Sequence, residues 1–350
     1  MSRTSSREPR PLDDARLGRW LDEVLGGHHP IRTRPLKGGG SCEIWSIERD
    51  GRRLVLRRAP PHASSSTAHD VLREHRILHA IRDEDVRIAR PVAACDDPTV
   101  AGAPFYVMEF VDGVPIRQTL PEAYADSPEE QTRALEEHVD ALAEIHRVDW
   151  RACGLESLGR PEGYLERQVP RWLAQLDSYR CRELAHVDAV AAWLEANRPP
   201  EQPPALVHGD YKLDNVLFSP TCPAKALAVV DWEMASIGDP LVDLAWALIF
   251  YPEPGNALAL GSAGQPGGFL VDSLPKANVM IERYARATGR DLARLDWYQV
   301  FSPWKLAIVL EGTHAKHVRG ESHNPAHAFF GPMADRLLER AARLVEGGTA

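Results

Sequence analysis

The stretch from Leu206 to Glu233, LVHGDYKLDNVLFSPTCPAKALAVVDWE, sets a loop of ionisable side chains between apolar runs, and it constrains the fold more than any other part of the chain. Ala205-Leu206-Val207 and Val216-Leu217-Phe218 are runs of strand length on either side of a polar turn, and Ala226 to Val230 is a third run ending at Asp231. A hairpin through Ser219-Pro220-Thr221 returns Asp231 to the side of Asn215. His208, Asp210, Asp214 and Asn215 then share one loop at strand ends, where polar side chains face a cleft. A carboxylate beside an amide oxygen is a hard-oxygen pair suited to Mg²⁺, which keeps several waters and leans on one or two carboxylates plus substrate phosphates. Asn215 and Asp231 are the expected metal ligands, and Asp210 is left to act as a base.

Asp and Asn are also turn formers, so a bare D-x-x-x-x-N is ordinary loop chemistry. The order of the parts argues against that reading. His-Gly-Asp directly follows an apolar run, Asn comes five residues after the Asp, and a second strand leads to Val-Val-Asp-Trp-Glu. The same order occurs in kinase-like phosphotransferases, where an Asp takes the hydroxyl proton and an Asn and a later Asp hold Mg²⁺.

The chain resembles the aminoglycoside phosphotransferase-like enzymes, whose loop reads H-G-D-x-x-x-x-N where protein kinases have H-R-D. HGDYKLDNVLF, VVDWEMASIGDPLVDLAW and LVLRRAPP resemble most the branch found as the kinase-like domain fused to some acyl-CoA dehydrogenases. The resemblance implies an α+β, two-lobed protein-kinase-like fold. A small β-rich N-terminal lobe with one key helix, residues 1–111, binds nucleotide, and a larger, mainly helical lobe, residues 112–350, carries catalysis and the acceptor.

Residues upstream fit that scheme. Lys37-Gly38-Gly39-Gly40-Ser41 stands at the head of a hairpin formed by Cys42 to Glu48 and Arg53 to Arg57 about the Asp50-Gly51 turn. Three glycines let a backbone approach phosphates and offer unhindered N–H donors, so Gly38, Gly39, Gly40 and Ser41 are the expected nucleotide-covering loop, although G-x-G-x-x-G is incomplete. Arg57 occupies the position of the family's phosphate-binding Lys. It keeps the positive charge but has a longer planar head. Arg58, on the opposite face of the strand, is the fallback. A helix capped within Ser64-Ser65-Ser66-Thr67 runs to about Ile81 and carries Glu74, which by resemblance pairs with the strand cation. Phe105 to Val111 reads as a buried strand leading to the hinge, with backbone groups near Met108, Glu109 and Phe110 meeting adenine.

Downstream, Leu135, Val139, Leu142 and Ile145 have helical spacing within Glu129 to His146. A further helix begins near Pro240, and its Asp243 either holds the catalytic loop or complements the helix dipole. Pro252 to Gly268, rich in Gly and Pro, is a lid or a surface insertion. His314, His317, His323 and His327 lack the partners of a metal site and read as surface residues. Trp304, Glu311 and His314 lie on a helix expected from Pro303 to Arg319, which in the family flanks the acceptor pocket.

At 350 residues the chain is long enough for both lobes. Its net charge of −9 argues against a nucleic-acid surface, which needs clustered Lys and Arg. The charge suits cationic acceptors, but net charge says little about one cleft. MSRTSSREPRPLDD has no apolar stretch, the run from Leu241 to Tyr251 is too short to span a bilayer, and five scattered cysteines show no C-x-x-C, so a cytoplasmic enzyme with no integral membrane segment is expected. The expected activity is ATP- and Mg²⁺-dependent phosphorylation of a small-molecule hydroxyl. Asp210 accepts the proton, His208 braces the loop, Asn215 and Asp231 bind Mg²⁺, and Arg57, set by Glu74, holds the phosphates. The branch implies a hydroxy fatty acid or hydroxyacyl-CoA as acceptor. An aminoglycoside, choline-like or sugar alcohol acceptor is the enzymatic alternative. A nucleotide-binding pseudokinase is the alternative of another class, suggested by Arg57 and the incomplete glycine motif.

Overall fold

The Asp50-Gly51 dipeptide adopts positive φ at both residues, 49° and 71°, as a two-residue turn matched to strand twist requires. It closes a hairpin in which Arg49 pairs with Arg52 and Glu43 with Arg58. The structure, a computed structural model, describes residues 11–36, 42–59, 70–254, 256, 258–261, 267–322 and 324–347. The chain runs through α1 (Asp14–Leu25), β1 (Ile31–Pro35), β2 (Glu43–Arg49), β3 (Arg52–Arg58), α2 (Val71–Ala80), β4 (Pro91–Cys95), a one-turn helix α3 (Pro98–Ala101) and β5 (Phe105–Glu109). These strands form one antiparallel sheet in the order β1-β2-β3-β5-β4.

Alternation along this sheet decides what faces the cleft. Leu54, Leu56, Phe105 and Val107 pack with Leu17 and Leu21 of α1 in a separate small core. Val55, Arg57, Tyr106 and Met108 face the other way, toward α2. That helix buries Val71, Glu74, Ile77 and Leu78 along one stripe. Its cap is Asp70, whose side chain accepts the Arg73 N–H at 2.9 Å, rather than the expected Ser/Thr run, which lies outside the described residues.

Beyond the hinge come β6 (Val114–Pro115), α4 (Pro128–Arg147), α5 (Gln168–Asp177), α6 (Val187–Ala196), β7 (Ala205–Val207), β8 (Val216–Phe218), β9 (Ala226–Val229), β10 (Ser236–Gly238), α7 (Leu241–Ile249), α8 (Ala277–Thr288), α9 (Leu295–Val318) and α10 (Phe330–Val345). The strands form two small sheets, β6-β8-β9 and β7-β10. A β-rich N-terminal part followed by a mainly helical one is the kinase-like arrangement expected from the sequence. α4 starts one residue earlier than expected, because Ser127 caps it and Pro128 fits a first-turn position where no N–H is needed. α9 starts eight residues before the expected Pro303, which lies inside the helix. Proline in a helix interior is costly, but burial of Trp297, Phe301 and Trp304 offsets it.

The 208–215 segment rests on α4 through Tyr211, whose hydroxyl donates to His138 O at 2.6 Å and whose ring stacks on the His138 imidazole at 4.5 Å. Burial pushes the His138 pKa from 6.5 down to about 3. Unfolding therefore takes up a proton below pH 6.5, and stability present above that value is lost as pH falls toward 3. His138→Phe keeps a ring against Tyr211 and removes the titration. Between pH 7 and pH 5 the wild-type protein should lose about 2 kcal/mol more than this variant in denaturant unfolding, whereas parallel profiles would contradict a neutral His138.

Candidate active site

A buried carboxylate holds the 208–215 loop in place. Asp239 Oδ1 accepts the Leu241 N–H at 3.0 Å and sets the start of α7, which puts Asp243 on its first turn, 1% exposed. Asp243 Oδ2 accepts the His208 N–H at 2.6 Å and Oδ1 the Gly209 N–H at 2.9 Å, while His146 Nε2 lies 3.3 Å from Oδ2. Burial works to raise the Asp243 pKa, but the contacts from His146, His208 and Gly209 outweigh it and hold the group below the ordinary carboxylate value. Asp243 thus holds the loop, the first of the two roles its sequence position allowed. Gly209 adopts φ 86°, and a Cβ there would lie 2.5 Å from Met234 O, so the turn demands glycine.

His208 has no exposed surface. Its Nδ1 accepts the Asp210 N–H at 3.3 Å and its Nε2 lies 3.0 Å from Val230 O, a pattern that fits one tautomer, with the proton on Nε2. Both nitrogens are engaged in joining the loop to the strand end that carries Asp231. This is a brace, with no nitrogen left over for proton transfer.

Asp210 is more tightly held than the sequence suggested. Trp246 Nε1 donates to its Oδ1 at 2.9 Å, and Lys212 Nζ (2.7 Å) and Asn215 Nδ2 (3.1 Å) donate to its Oδ2. Asn215 Nδ2 also donates to Asp210 O at 2.8 Å, so both amide hydrogens point at Asp210 and the amide oxygen is turned away from it. The Val230 N–H donates to Asn215 O at 2.9 Å, and the hairpin brings Asp231 next to Asn215 as its apolar runs implied. Asp231 sits at φ 70°, a conformation that non-glycine residues adopt at a cost and that recurs at functional sites.

Arg57 faces this group from the N-terminal sheet. Its Nε lies 2.8 Å from Glu74 Oε2, and its Nη2 lies 2.6 Å from Asp231 Oδ1 and 3.5 Å from Glu233 Oε2. Burial opposes the charge, but Glu74, Tyr106 and Asp231 outweigh it and raise the Arg57 pKa further. Glu74 Oε1 also accepts the Trp232 N–H at 3.0 Å, which ties α2 to the segment after Asp231. Arg58, the fallback cation, points to the outer face, where it pairs with Glu43 and the Ala101 carbonyl.

A cavity of about 310 Å³ lies between the lobes. Val55, Leu78, Ala89, Met108, Leu217 and Val229 form apolar walls, and Arg57, Asp214, Asn215 and Asp231 form a polar end. Such a mix of apolar walls and a few convergent polar groups is typical of small-ligand sites. Glu109 and Phe110 line it too, but their N–H groups already donate to Arg90 O and Arg53 O, which leaves Val111 as the next backbone donor on that wall. Asp214 Oδ1 is buried without a hydrogen-bond partner, and burial raises its pKa. The Asp214 carboxylate, whose Oδ1 has Lys212 Nζ at 3.9 Å, the Asn215 amide oxygen and Asp231 are hard-oxygen donors that fit a Mg²⁺–phosphate group. Gly38, Gly39, Gly40 and Ser41 lie outside the described residues.

Other expected positions are turned elsewhere. Trp304 donates to Val187 O, and buried Glu311 pairs with Arg182, so both serve the helical core rather than a pocket wall. His314 and His317 face the carbonyls of His327 and Ser322, and no cluster of three or more His, Cys, Asp or Glu side chains suited to a metal occurs among the described residues. Of the 252–268 segment, Gly261 and Gly267 bond to the backbone of Arg117 and Leu120. Sequence reasoning missed Lys212 and Trp246. Lys212 stands between two loop aspartates, and Trp246 follows Asp243 by three residues, so it shares a helix face with the loop's anchor.

This cleft, with a strand cation paired to a helix carboxylate and an Asp/Asn loop opposite a second Asp, defines a kinase-like phosphotransferase. The sequence matches the phosphotransferase enzyme family over residues 32–298, and the chain belongs to that family. It is 33% identical over 353 residues to acyl-CoA dehydrogenase family member 11 of Gallus gallus, a match covering 97% of this chain and 44% of that protein. The chain thus spans less than half the length of this relative, and the match agrees with the branch its motifs resemble. A crystal structure from Ralstonia eutropha JMP134, provisionally described as an aminoglycoside phosphotransferase, superposes with a TM-score of 0.83 at 29% identity, covering 97% of this chain and all of that one. A choline/ethanolamine kinase family protein from Mesorhizobium loti shares the fold, with a TM-score of 0.58 at 16% identity over 95% of this chain and 94% of its own. No helix among the described residues is long and apolar enough to cross a membrane.

Replacing Asp243 by Ala strands two buried backbone N–H groups, each costing about 1–3 kcal/mol. Asp243→Ala should lower unfolding stability by about 3 kcal/mol or more and speed amide exchange at Gly209. Unchanged exchange would show that the loop is held by something else.

Proposed function

We propose that the chain is an ATP- and Mg²⁺-dependent phosphotransferase acting in the cytoplasm on the hydroxyl of a small molecule. The observation that carries this reading is the convergence of Arg57, Asn215 and Asp231 on one cavity, with Asp210 held by Asn215 at its edge. Asp210 receives the acceptor hydroxyl proton as the hydroxyl oxygen bonds to the terminal phosphorus of ATP and the bond from that phosphorus to the bridging oxygen breaks, releasing ADP. Trp246, Lys212 and Asn215 fix the carboxylate for that task, so little reorganisation remains when the acceptor arrives. Lys212 also supplies positive charge where the transferred group passes. Arg57, oriented by Glu74, faces the nucleotide phosphates, and the bound metal would be held through the Asn215 oxygen and Asp231. Mg²⁺ in that position supplies charge neutralisation across the phosphates.

For the acceptor, the resemblance of the motifs to the kinase-like domain fused to acyl-CoA dehydrogenases, with the 33% identical relative named an acyl-CoA dehydrogenase family member, supports a hydroxy fatty acid or hydroxyacyl-CoA over an aminoglycoside or choline-like alcohol. The pseudokinase alternative takes support from Arg57 standing where a Lys is usual, but Asp210, Asn215 and Asp231 are all in place. Asp210→Ala should reduce acceptor-dependent ADP release by about 10²- to 10⁴-fold while ATP still binds. An unchanged rate would refute the assignment. Trp246→Phe, which loses the N–H to Asp210, should lower kcat about tenfold with the KM for ATP unchanged.

A further inference from the structure

Beside Asp210, on residues that do not line the nucleotide cavity, Lys305 of α9 lies between two indoles. Its Nζ is 4.4 Å from the Trp246 ring centre and 5.3 Å from that of Trp172 on α5. Trp246 is the residue that donates to Asp210 Oδ1, so Lys305 is separated from the reacting carboxylate by a single side chain. An indole face attracts the charge of an ammonium but accepts none of its three N–H bonds in the usual sense. Among the described residues Lys305 makes no hydrogen bond and no ion pair. Burial lowers its pKa to about 8, Asp243 and Asp210 pull it upward, and Arg171 pushes it down.

A half-buried lysine without an acceptor, kept this close to the reaction, is an unmatched charge that a ligand can match. The surroundings add to it. Arg171, next to Trp172, lines an open groove of about 740 Å³ together with Arg160, Arg167, Tyr164 and Ser236, and Glu166 is the one carboxylate on that wall. Despite the chain's overall negative charge, the wall of this groove carries three arginines against one carboxylate.

We propose that Lys305, set between Trp172 and Trp246, holds an oxyanion borne by the acceptor, so that this site takes acidic hydroxyl compounds and disfavours polycations such as aminoglycosides. The oxyanion is a carboxylate, as in a free hydroxy acid, or a phosphate, as in its coenzyme A ester. The proposal rests on the phosphotransferase reading above. Lys305 is a specificity residue in it and takes no proton from the hydroxyl.

The test compares wild type, Lys305→Met and Lys305→Arg on a positional series of hydroxydecanoates, their methyl esters, their coenzyme A esters and kanamycin, with ADP release as readout. The wild type should prefer an anionic member to its methyl ester. Lys305→Met should raise the KM for that member about tenfold or more, leave the KM for ATP and for the methyl ester in place, and narrow the gap to kanamycin. Lys305→Arg should recover part of the loss. An effect confined to free acids assigns a carboxylate, and one confined to coenzyme A esters assigns a phosphate. The wild-type preference should fade above about pH 8, where the ammonium deprotonates, and persist to higher pH in Lys305→Arg. Equal losses on charged and neutral acceptors, or no loss, would overturn the proposal while leaving the phosphotransferase reading intact. Wild-type protein that binds ATP but phosphorylates no acceptor would overturn both.

Discussion

The carboxylate of Asp243 accepts the N–H groups of His208 and Gly209 in the interior, and much of the cleft's geometry follows from that contact. An ionised acceptor bonded to two backbone donors fixes both position and direction for the residue that follows, Asp210. Trp246 lies one turn along the same helix and donates to Asp210, so α7 places the loop and aims its carboxylate with one rigid element. His208 extends the connection to Val230, and Asn215 closes it on Asp210, so a displacement of α7 would misplace every polar group on this side.

The opposite side depends on a buried ion cluster. Arg57 contacts Glu74, Asp231 and Glu233 at once, a use that suits a planar guanidinium better than the point charge of a lysine. Burying such groups gains little net stability, but removing one partner leaves a charge without compensation and typically costs about 3–5 kcal/mol. The cluster therefore reads as a device for holding α2, β3 and the Asp231 segment in one relation. It also accounts for how an arginine can stand in this position without disturbing the arrangement around it.

The parts of this structure governed by local chemistry were legible in the sequence. Asp50-Gly51 specified its hairpin, the spacing of Leu135, Val139, Leu142 and Ile145 the body of α4, and the spacing of three apolar runs the return of Asp231 to Asn215. What escaped depends on contacts between distant segments. β10 is three residues long and exists because β7 lies beside it. α1 carries only Leu17, Leu21 and a glycine as its buried stripe, and Pro303 is tolerated inside α9 because a cluster of aromatic rings is buried around it. Nothing in the spacing of Trp172, Trp246 and Lys305 shows that three different helices bring them together. The net charge of −9 pointed weakly toward cationic acceptors, whereas Lys212 and Lys305 stand close to Asp210, and a cleft is dominated by its few nearest charges.

The proposed function requires that Asn215 and Asp231 form, with Arg57, a site for ATP carrying a divalent ion. The most direct measurement is calorimetric titration of ATP into the protein with Mg²⁺ and with a chelator in its place, repeated on Asp231→Asn. Mg²⁺ should tighten ATP binding to the wild type by about tenfold or more, and the substitution should remove most of that gain while binding without metal persists. Equal ATP affinity with and without Mg²⁺ in the wild type would contradict the account.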